Sequence, residues 1–270
     1  MAKFDNILIA TDLDGTLYEN QNFIPQINLE KIKYFTDNGG KFTIATGRGI
    51  EGARFVTDTI KLTAPAIVNN GHTLYDFDSE SAIYNQSLPT TAKEELKRVL
   101  EKYPNIAAEI YCDRVLYVIN PNKTLINHLE YTKVKYNNTC ISDVFALKWS
   151  KVLITDEFEN IEKVRSDLQN MSFDGFKYIK TTDLYHEMII DGITKGTTLL
   201  KLADYYNIPY ENTFAIGNYY NDIELIESAG CGAVVSNTPE DIKSRADFIC
   251  KNTAENGALA EFIDYIESRF

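Results

Sequence analysis

Two aspartates one residue apart, Asp12 and Asp14, follow the apolar run Ile7-Leu8-Ile9-Ala10 and Thr11 and lead into Gly15-Thr16-Leu17. In extended backbone, residues i and i+2 point to the same side, so both carboxylates can face one space. Two carboxylates side by side repel, and one takes up a proton unless a cation is present. Magnesium suits such a place, because it prefers oxygen ligands and often uses one or two carboxylates with water and phosphate. The pair also fits a simpler role in a turn, since Asp-Gly is a common turn dipeptide.

Two further apolar runs end in polar residues. Phe42-Thr43-Ile44-Ala45 runs into Thr46-Gly47-Arg48, and Thr213-Phe214-Ala215-Ile216 runs into Gly217-Asn218, with Asn221 and Asp222 just beyond. A hydroxyl, glycine amides and an arginine match phosphate oxygens. Asn218, Asn221 and Asp222 add oxygen ligands and hydrogen-bonding groups. Lys195-Gly196 opens a helical pattern. A lysine is unfavourable at the positive end of a helix, and it makes sense there if it faces an anion or Asp12. Singly, each of these pieces reads as turn chemistry. Arg48 fits a surface position at a helix start as well as a substrate contact.

These residues need elements to bring them together. Residues 7–10, 42–45 and 66–68 read as short buried strands, separated by helices over 27–38 and 49–60. Strand, helix, strand, helix, strand is the pattern of a doubly wound parallel sheet, whose ligands bind at the carboxyl ends of the strands. From about residue 72 the texture changes. Helices over 90–103, 122–132 and 158–170 alternate with strands near 106–111, 115–119, 151–155 and 177–181. Paired strands between helices read as an α+β unit. The α/β rhythm resumes at 187–190, with a helix from Lys195, a strand at 213–216, a helix over 219–228, short strands at 231–235 and 247–250, and a last helix over 256–268. The expected organisation is a Rossmann-like α/β core over 1–82 and 185–270, with an inserted α+β domain over 83–184.

The whole chain narrows the function. It has 270 residues and a formal net charge of -12, which argues against nucleic acid and against a polybasic membrane anchor. Its four cysteines, Cys112, Cys140, Cys231 and Cys250, share no metal spacing and suit a reducing, cytoplasmic setting. The start lacks the pattern of a signal peptide, and no apolar stretch has the length of a membrane span. His72, His128 and His186 share no ligand spacing, and Asp113, Arg114, Tyr185 and His186 read as solvated or structural.

The chain resembles the haloacid dehalogenase superfamily, and within it the Cof-like phosphatases with a large α/β cap. Asp12-Leu13-Asp14-Gly15-Thr16-Leu17 matches the first motif, Ala45-Thr46-Gly47-Arg48 the second and Lys195-Gly196 the third. Gly217-Asn218-Tyr219-Tyr220-Asn221-Asp222 matches the fourth, except that the family usually has aspartate at the position of Asn218. Asn69-Asn70-Gly71 matches a subfamily signature. The motif order and the insertion between the second and third motifs extend the likeness over essentially the whole chain.

The resemblance implies a magnesium-dependent phosphatase of small phosphorylated metabolites, sugar phosphates among them. It implies Asp12 as nucleophile forming an aspartyl phosphate, and Asp14 as acid and then base. Thr46 would donate to the phosphoryl group, and Lys195 would balance charge. Magnesium would lie among Asp12, the Asp14 backbone carbonyl and the fourth motif, with Asn218 and Asp222 as its donors there. Gly47, Arg48, Asn70 and Asn221 would serve the substrate. The inserted domain would act as a cap that excludes water and selects the leaving group. A phosphomutase of related fold and a non-catalytic phosphate-binding protein are the alternatives, the latter favoured only by Asn218.

Overall fold

The computed structural model describes residues 2–19 and 23–270. The chain divides into two compact units. The first holds residues up to Gly47, then Ala53–Tyr84 and Thr194–Phe270; the second holds Arg48–Gly52 and Asn85–Ile193.

The first unit is built on a parallel sheet in the order Phe248–Ile249, Cys231–Val234, Thr213–Gly217, Leu8–Thr11, Lys41–Ile44. A bridge between Ala45 and Ile67 adds Ala66–Val68 at the edge, and an antiparallel extension, Thr73–Asp76 and Ser81–Asn85, follows. Both faces of the sheet are covered, which explains why its strands are uninterrupted apolar runs rather than alternating ones. Leu8, Ala10 and Ala215 pack with Leu199, Leu202 and Leu225. Ile9, Phe42 and Phe214 share a register row on the opposite face, where Phe214 meets the ring of Phe262 from the last helix, Ala258–Glu267.

The chain leaves Leu8–Thr11 towards Lys41–Ile44 on one side, and Thr213–Gly217 flanks it on the other. The strand order reverses there, so a crevice opens at the carboxyl end of Leu8–Thr11, where such sheets bind ligands. Thr11 lies level with Ile216 and Ile44. The next residue, Asp12, donates its backbone N–H to Ile216 O at 2.9 Å.

The second unit has a six-stranded sheet in the order Phe176–Lys180, Tyr185–Ile190, Lys151–Thr155, Ala107–Cys112, Val115–Ile119, Tyr136–Asn138. One face packs on the helices Thr90–Lys102 and Phe158–Leu168 through Ala108, Ile110, Val152, Ile154 and Met188 against Leu96, Val99, Ile161 and Val164. Two short elements here, the strand Tyr136–Asn138 and the helix Ile141–Val144, carry no periodicity that the sequence reading could use.

One boundary shifts. The run 187–190, expected to restart the core, belongs to the strand Tyr185–Ile190, which pairs antiparallel with Lys151–Thr155 and Phe176–Lys180. The first unit resumes at Thr194 rather than at 185. An interior strand is apolar whichever sheet it joins, so composition alone could not assign it. The helix expected over 219–228 is also shorter: a single 3₁₀ turn, Tyr220–Asp222, precedes Ile223–Ser228.

The other face of this second sheet carries buried charge. Glu109, Leu153 and Glu187 form one cross-strand row, with Tyr111 and Lys151 in a neighbouring row on that face. Tyr111 donates to Glu109 Oε2 at 2.5 Å, Lys151 Nζ lies 3.4 Å from Glu187 Oε1, and His128 Nε2 is 3.6 Å from Glu109 Oε1. Burial pushes the Glu109 carboxyl up to about 7, and the Tyr111 hydrogen bond and Lys151 only partly offset it. The folded chain therefore keeps a proton that the unfolded chain releases near 4.5. Stability from this group is intact below that pH and falls as pH rises towards 7, by roughly 3 kcal/mol when complete. Urea unfolding of Glu109→Gln between pH 4 and 8 should show a flatter decline than the native protein; parallel pH curves would show that Glu109 ionises normally.

Candidate active site

Three parallel strands end on the same edge of the first unit's sheet, and the predicted residues sit just past those ends. Asp12 follows Leu8–Thr11, Thr46 follows Lys41–Ile44 by one residue, and Asn218 follows Thr213–Gly217. Lys195 is the first residue of the helix Lys195–Tyr206. Thr194 caps that helix by accepting from Thr197 N, while Thr197 Oγ1 accepts from Thr194 N at 2.9 Å. This reciprocal cap satisfies two backbone donors and fixes where the helix begins, and so where Lys195 stands.

The centre is a buried cation between two buried carboxylates. Lys195 Nζ, with its residue 1% exposed, donates to Asp12 Oδ1 at 2.7 Å and to Asp222 Oδ1 at 2.6 Å. Burial opposes the charge on Lys195, but Asp12 and Asp222 together hold its pKa above the ordinary lysine value. Asp12 is less well compensated. Burial first, then Asp222, pushes its carboxyl up to about 7; Lys195 pulls it down, and Asp14 adds a smaller upward push.

Asp222 uses its second oxygen as well. Oδ2 accepts from Asn218 N at 3.0 Å and from Tyr219 N at 3.1 Å. One carboxylate thus anchors both Lys195 and the backbone of the loop that starts at Asn218. Gly217 makes this possible: a Cβ there would lie 2.5 Å from Asp222 Cβ. Asp222, expected among the metal's oxygen ligands, accepts from protein donors through both oxygens.

The first motif folds as a tight loop, with Gly15 N donating to Tyr18 O at 2.8 Å and Leu17 N to Leu13 O at 3.0 Å. Asp12 and Leu13 are buried and Asp14 is exposed. Gly15 has φ +78°, and a Cβ on it would lie 2.2 Å from Asn218 Nδ2, so the Asn218 carboxamide rests against the bare Gly15 backbone. Thr46, Gly47 and Asn70 also come together. Asn70 N donates to Thr46 O at 3.1 Å, and a Cβ on Gly47 would meet Asn70 Oδ1 at 3.0 Å. Asn221 lies half-buried in the 3₁₀ turn. Arg48 groups with the second unit, where Nη1 donates to Gly52 O at 3.3 Å.

The donor set fits a hard divalent cation. The residues expected to hold it, Asp12, the Asp14 backbone carbonyl and Asn218, offer oxygen donors. Magnesium accepts such a set with water and phosphate completing it. Burial and Asp222 disfavour the charged form of Asp12, and a cation beside it would favour that form. Among the described residues, no group of three or more His, Cys, Asp or Glu gathers as a self-sufficient metal cluster. The sequence reading missed that Lys195 serves Asp222 as well as Asp12. The only signal for it was a lysine placed at the wrong end of a helix.

Residues 9–263 match the family model described as haloacid dehalogenase-like hydrolase. The chain is 28% identical over 261 residues to the 5-amino-6-(5-phospho-D-ribitylamino)uracil phosphatase YitU of Bacillus subtilis, covering 95% of this chain and 96% of that one. It is 24% identical over 269 residues to the pyridoxal phosphate phosphatase YbhA of Escherichia coli, covering 95% and 97%. Among solved structures, a haloacid dehalogenase-like hydrolase from Bacteroides thetaiotaomicron superposes with a TM-score of 0.85 at 23% identity, covering 96% of this chain and 99% of that one. A HAD subclass IIB sugar phosphatase superposes at 0.83 with 19% identity, covering 96% and 98%. At these identities the superpositions speak for the fold.

Replacing Lys195 by methionine leaves Asp12 and Asp222 buried without their cation. Removing one partner of a buried pair costs about 3–5 kcal/mol. The loss should be full at pH 8 in the presence of chelator. It should shrink at pH 5, where Asp12 takes up a proton and the repulsion ends. Urea unfolding at the two pH values checks this; an equal loss at both would mean that Lys195 contributes through packing rather than charge.

Proposed function

Because the chain belongs to the haloacid dehalogenase-like hydrolases, we propose that it is a phosphatase that removes phosphate from small phosphorylated metabolites through an aspartyl phosphate on Asp12. The observation that carries this reading is the buried arrangement of Asp12, Lys195 and Asp222 at the switch point of the sheet, with Asp14 two residues on from Asp12. The relatives named as phosphatases of a ribitylaminouracil phosphate and of pyridoxal phosphate support the substrate class.

In the first step Asp12 attacks phosphorus. The bond from phosphorus to the ester oxygen breaks, and Asp14 gives that oxygen its proton, so the product leaves as an alcohol. In the second step Asp14 takes a proton from water, whose oxygen attacks the same phosphorus. The bond to Asp12 breaks, and inorganic phosphate forms. Dividing the displacement this way replaces one difficult step by two easier ones, and Asp14 acts as acid and then as base. The exposure of Asp14 suits a group that exchanges protons with the alcohol and with water. Lys195 favours the ionised form of Asp12 and holds the carboxylate in place. Thr46, Gly47, Asn70 and Asn221 are the proposed contacts of the phosphoryl oxygens. Asp12, the Asp14 carbonyl and Asn218 would hold magnesium, which supplies charge neutralisation and alignment for in-line transfer, while Asp222 fixes the loop that presents Asn218.

Asp14→Asn should slow hydrolysis of alkyl phosphates far more than that of activated aryl phosphates, because only a poor leaving group needs a proton. Steady-state rates across a series of leaving alcohols measure this; an equal loss across the series would remove Asp14 from that role.

Asn218→Asp adds an anionic oxygen to the metal position. Calorimetric titration should show magnesium binding several-fold tighter in the variant, with a smaller effect on turnover at saturating metal. An unchanged binding midpoint would exclude Asn218 as a donor. A native protein that binds phosphate but turns over no ester would favour the non-catalytic reading.

A further inference from the structure

Thr46 and Lys195 are both tied to one short turn. Asn69, Asn70 and Gly71 follow the strand Ala66–Val68 with φ of 52°, 56° and 100°. Three successive left-handed residues are unfavourable, even as two asparagines and a glycine, and persist only where their surroundings hold them. All three are buried. On one side, Asn70 N donates to Thr46 O at 3.1 Å. On the other, Gly71 presses on the peptide that joins Thr194 to Lys195: a Cβ on it would lie 2.2 Å from Thr194 O and 2.9 Å from Lys195 N. Thr198, fully buried and one turn further along the same helix, closes this contact by donating from Oγ1 to Gly71 O at 2.7 Å. A helical threonine can return its hydroxyl to its own helix, as Thr197 does to Thr194 O at 3.1 Å. Thr198 reaches across to the turn instead.

We propose that this turn is a spacer that sets Lys195 at its working distance from Thr46, and that Thr198 is the positioning residue on the lysine side. Lys195 and Thr198 lie three residues apart, so they share one face of the helix. The Thr198 hydroxyl fixes that face against Gly71 O, and Lys195 Nζ then falls between Asp12 Oδ1 and Asp222 Oδ1. Without the hydroxyl a buried carbonyl loses its donor, which is unfavourable enough to shift the first turn of the helix towards another arrangement. Lys195 moves with that turn, and its hold on the nucleophile loosens. This assignment rests on the phosphatase reading and adds to it a residue that acts through Lys195.

Thr198→Val keeps the shape of the side chain and removes the hydroxyl. With an activated aryl phosphate at saturating magnesium, kcat should fall about tenfold, within what a displacement of an ångström or less can cost, and KM should change less. Thr198→Ser, which keeps the hydroxyl, should retain most of kcat. A double-mutant cycle reads the link to Lys195 without turnover. In urea at pH 8 with chelator, Thr198→Val should raise the unfolding constant about tenfold more in the native background than beside Lys195→Met, because only the native background has a lysine to misplace. If thermal melting shows the valine variant to be unfolded, Thr198→Ala takes its place in both measurements. A native kcat in the valine variant, a serine variant as slow as the valine one, or equal unfolding costs in the two backgrounds overturns the assignment. A native protein that hydrolyses no aryl phosphate overturns the phosphatase reading instead, and the unfolding cycle still decides whether Thr198 positions Lys195.

Discussion

A lysine ammonium buried between two carboxylates is the constraint on which the rest of the site depends. Taking three charged groups out of water costs several kcal/mol each, and their mutual attraction returns this only when the geometry is good. The surrounding structure supplies that geometry. A capped helix begins at Lys195, a glycine at 217 lets Asp222 approach the strand, and the register of three parallel strands sets Asp12 beside the Asn218 loop. A core built for stability alone would put apolar side chains there. Lys195 instead pulls the Asp12 carboxyl towards its charged form against burial and Asp222, as the proposed role of Asp12 requires.

Asn218 changes the charge balance of this centre without changing its shape. Its carboxamide sits against Gly15, where a carboxylate of nearly the same outline would also fit. An aspartate there would add a fourth carboxylate to Asp12, Asp14 and Asp222, with Lys195 still the one cation among these groups. With asparagine, repulsion among the acids is smaller and the attraction for a divalent cation is weaker. In the proposed reaction, more of a cation's stabilisation would then come from the phosphate of the substrate.

The second unit handles buried charge differently. Glu109 is relieved by protonation and a hydrogen bond from Tyr111, and Lys151 and Glu187 are relieved by each other. His186 stacks on Tyr178 at 12° between planes, and burial lowers its pKa to about 4, so it stays neutral. Arg165 is spent on architecture, donating to the backbone carbonyls of Thr182, Asp183 and Tyr185 across the turn between two strands. Tyr185 and His186 therefore have structural partners, Tyr185 also meeting the ring of His128.

The sequence by itself determined the parallel sheet and the residues at its carboxyl edge. Short apolar runs ending in Asp12, Thr46 and Asn218 are local signals, because a strand covered on both faces must be apolar throughout and must change character where it meets the crevice. Lys195 was legible for a similar reason: a cation at a helix start is a conflict that some partner has to resolve. The partners were not legible. That Lys195 touches Asp222 as closely as Asp12, and that both Asp222 oxygens are engaged, depends on how residues 12, 195 and 222 meet in space, and no spacing along the chain encodes it. The same limit misplaced residues 187–190. An apolar strand records that it is buried, not which sheet buries it, and only antiparallel hydrogen bonding to Lys151–Thr155 and Phe176–Lys180 decided that question.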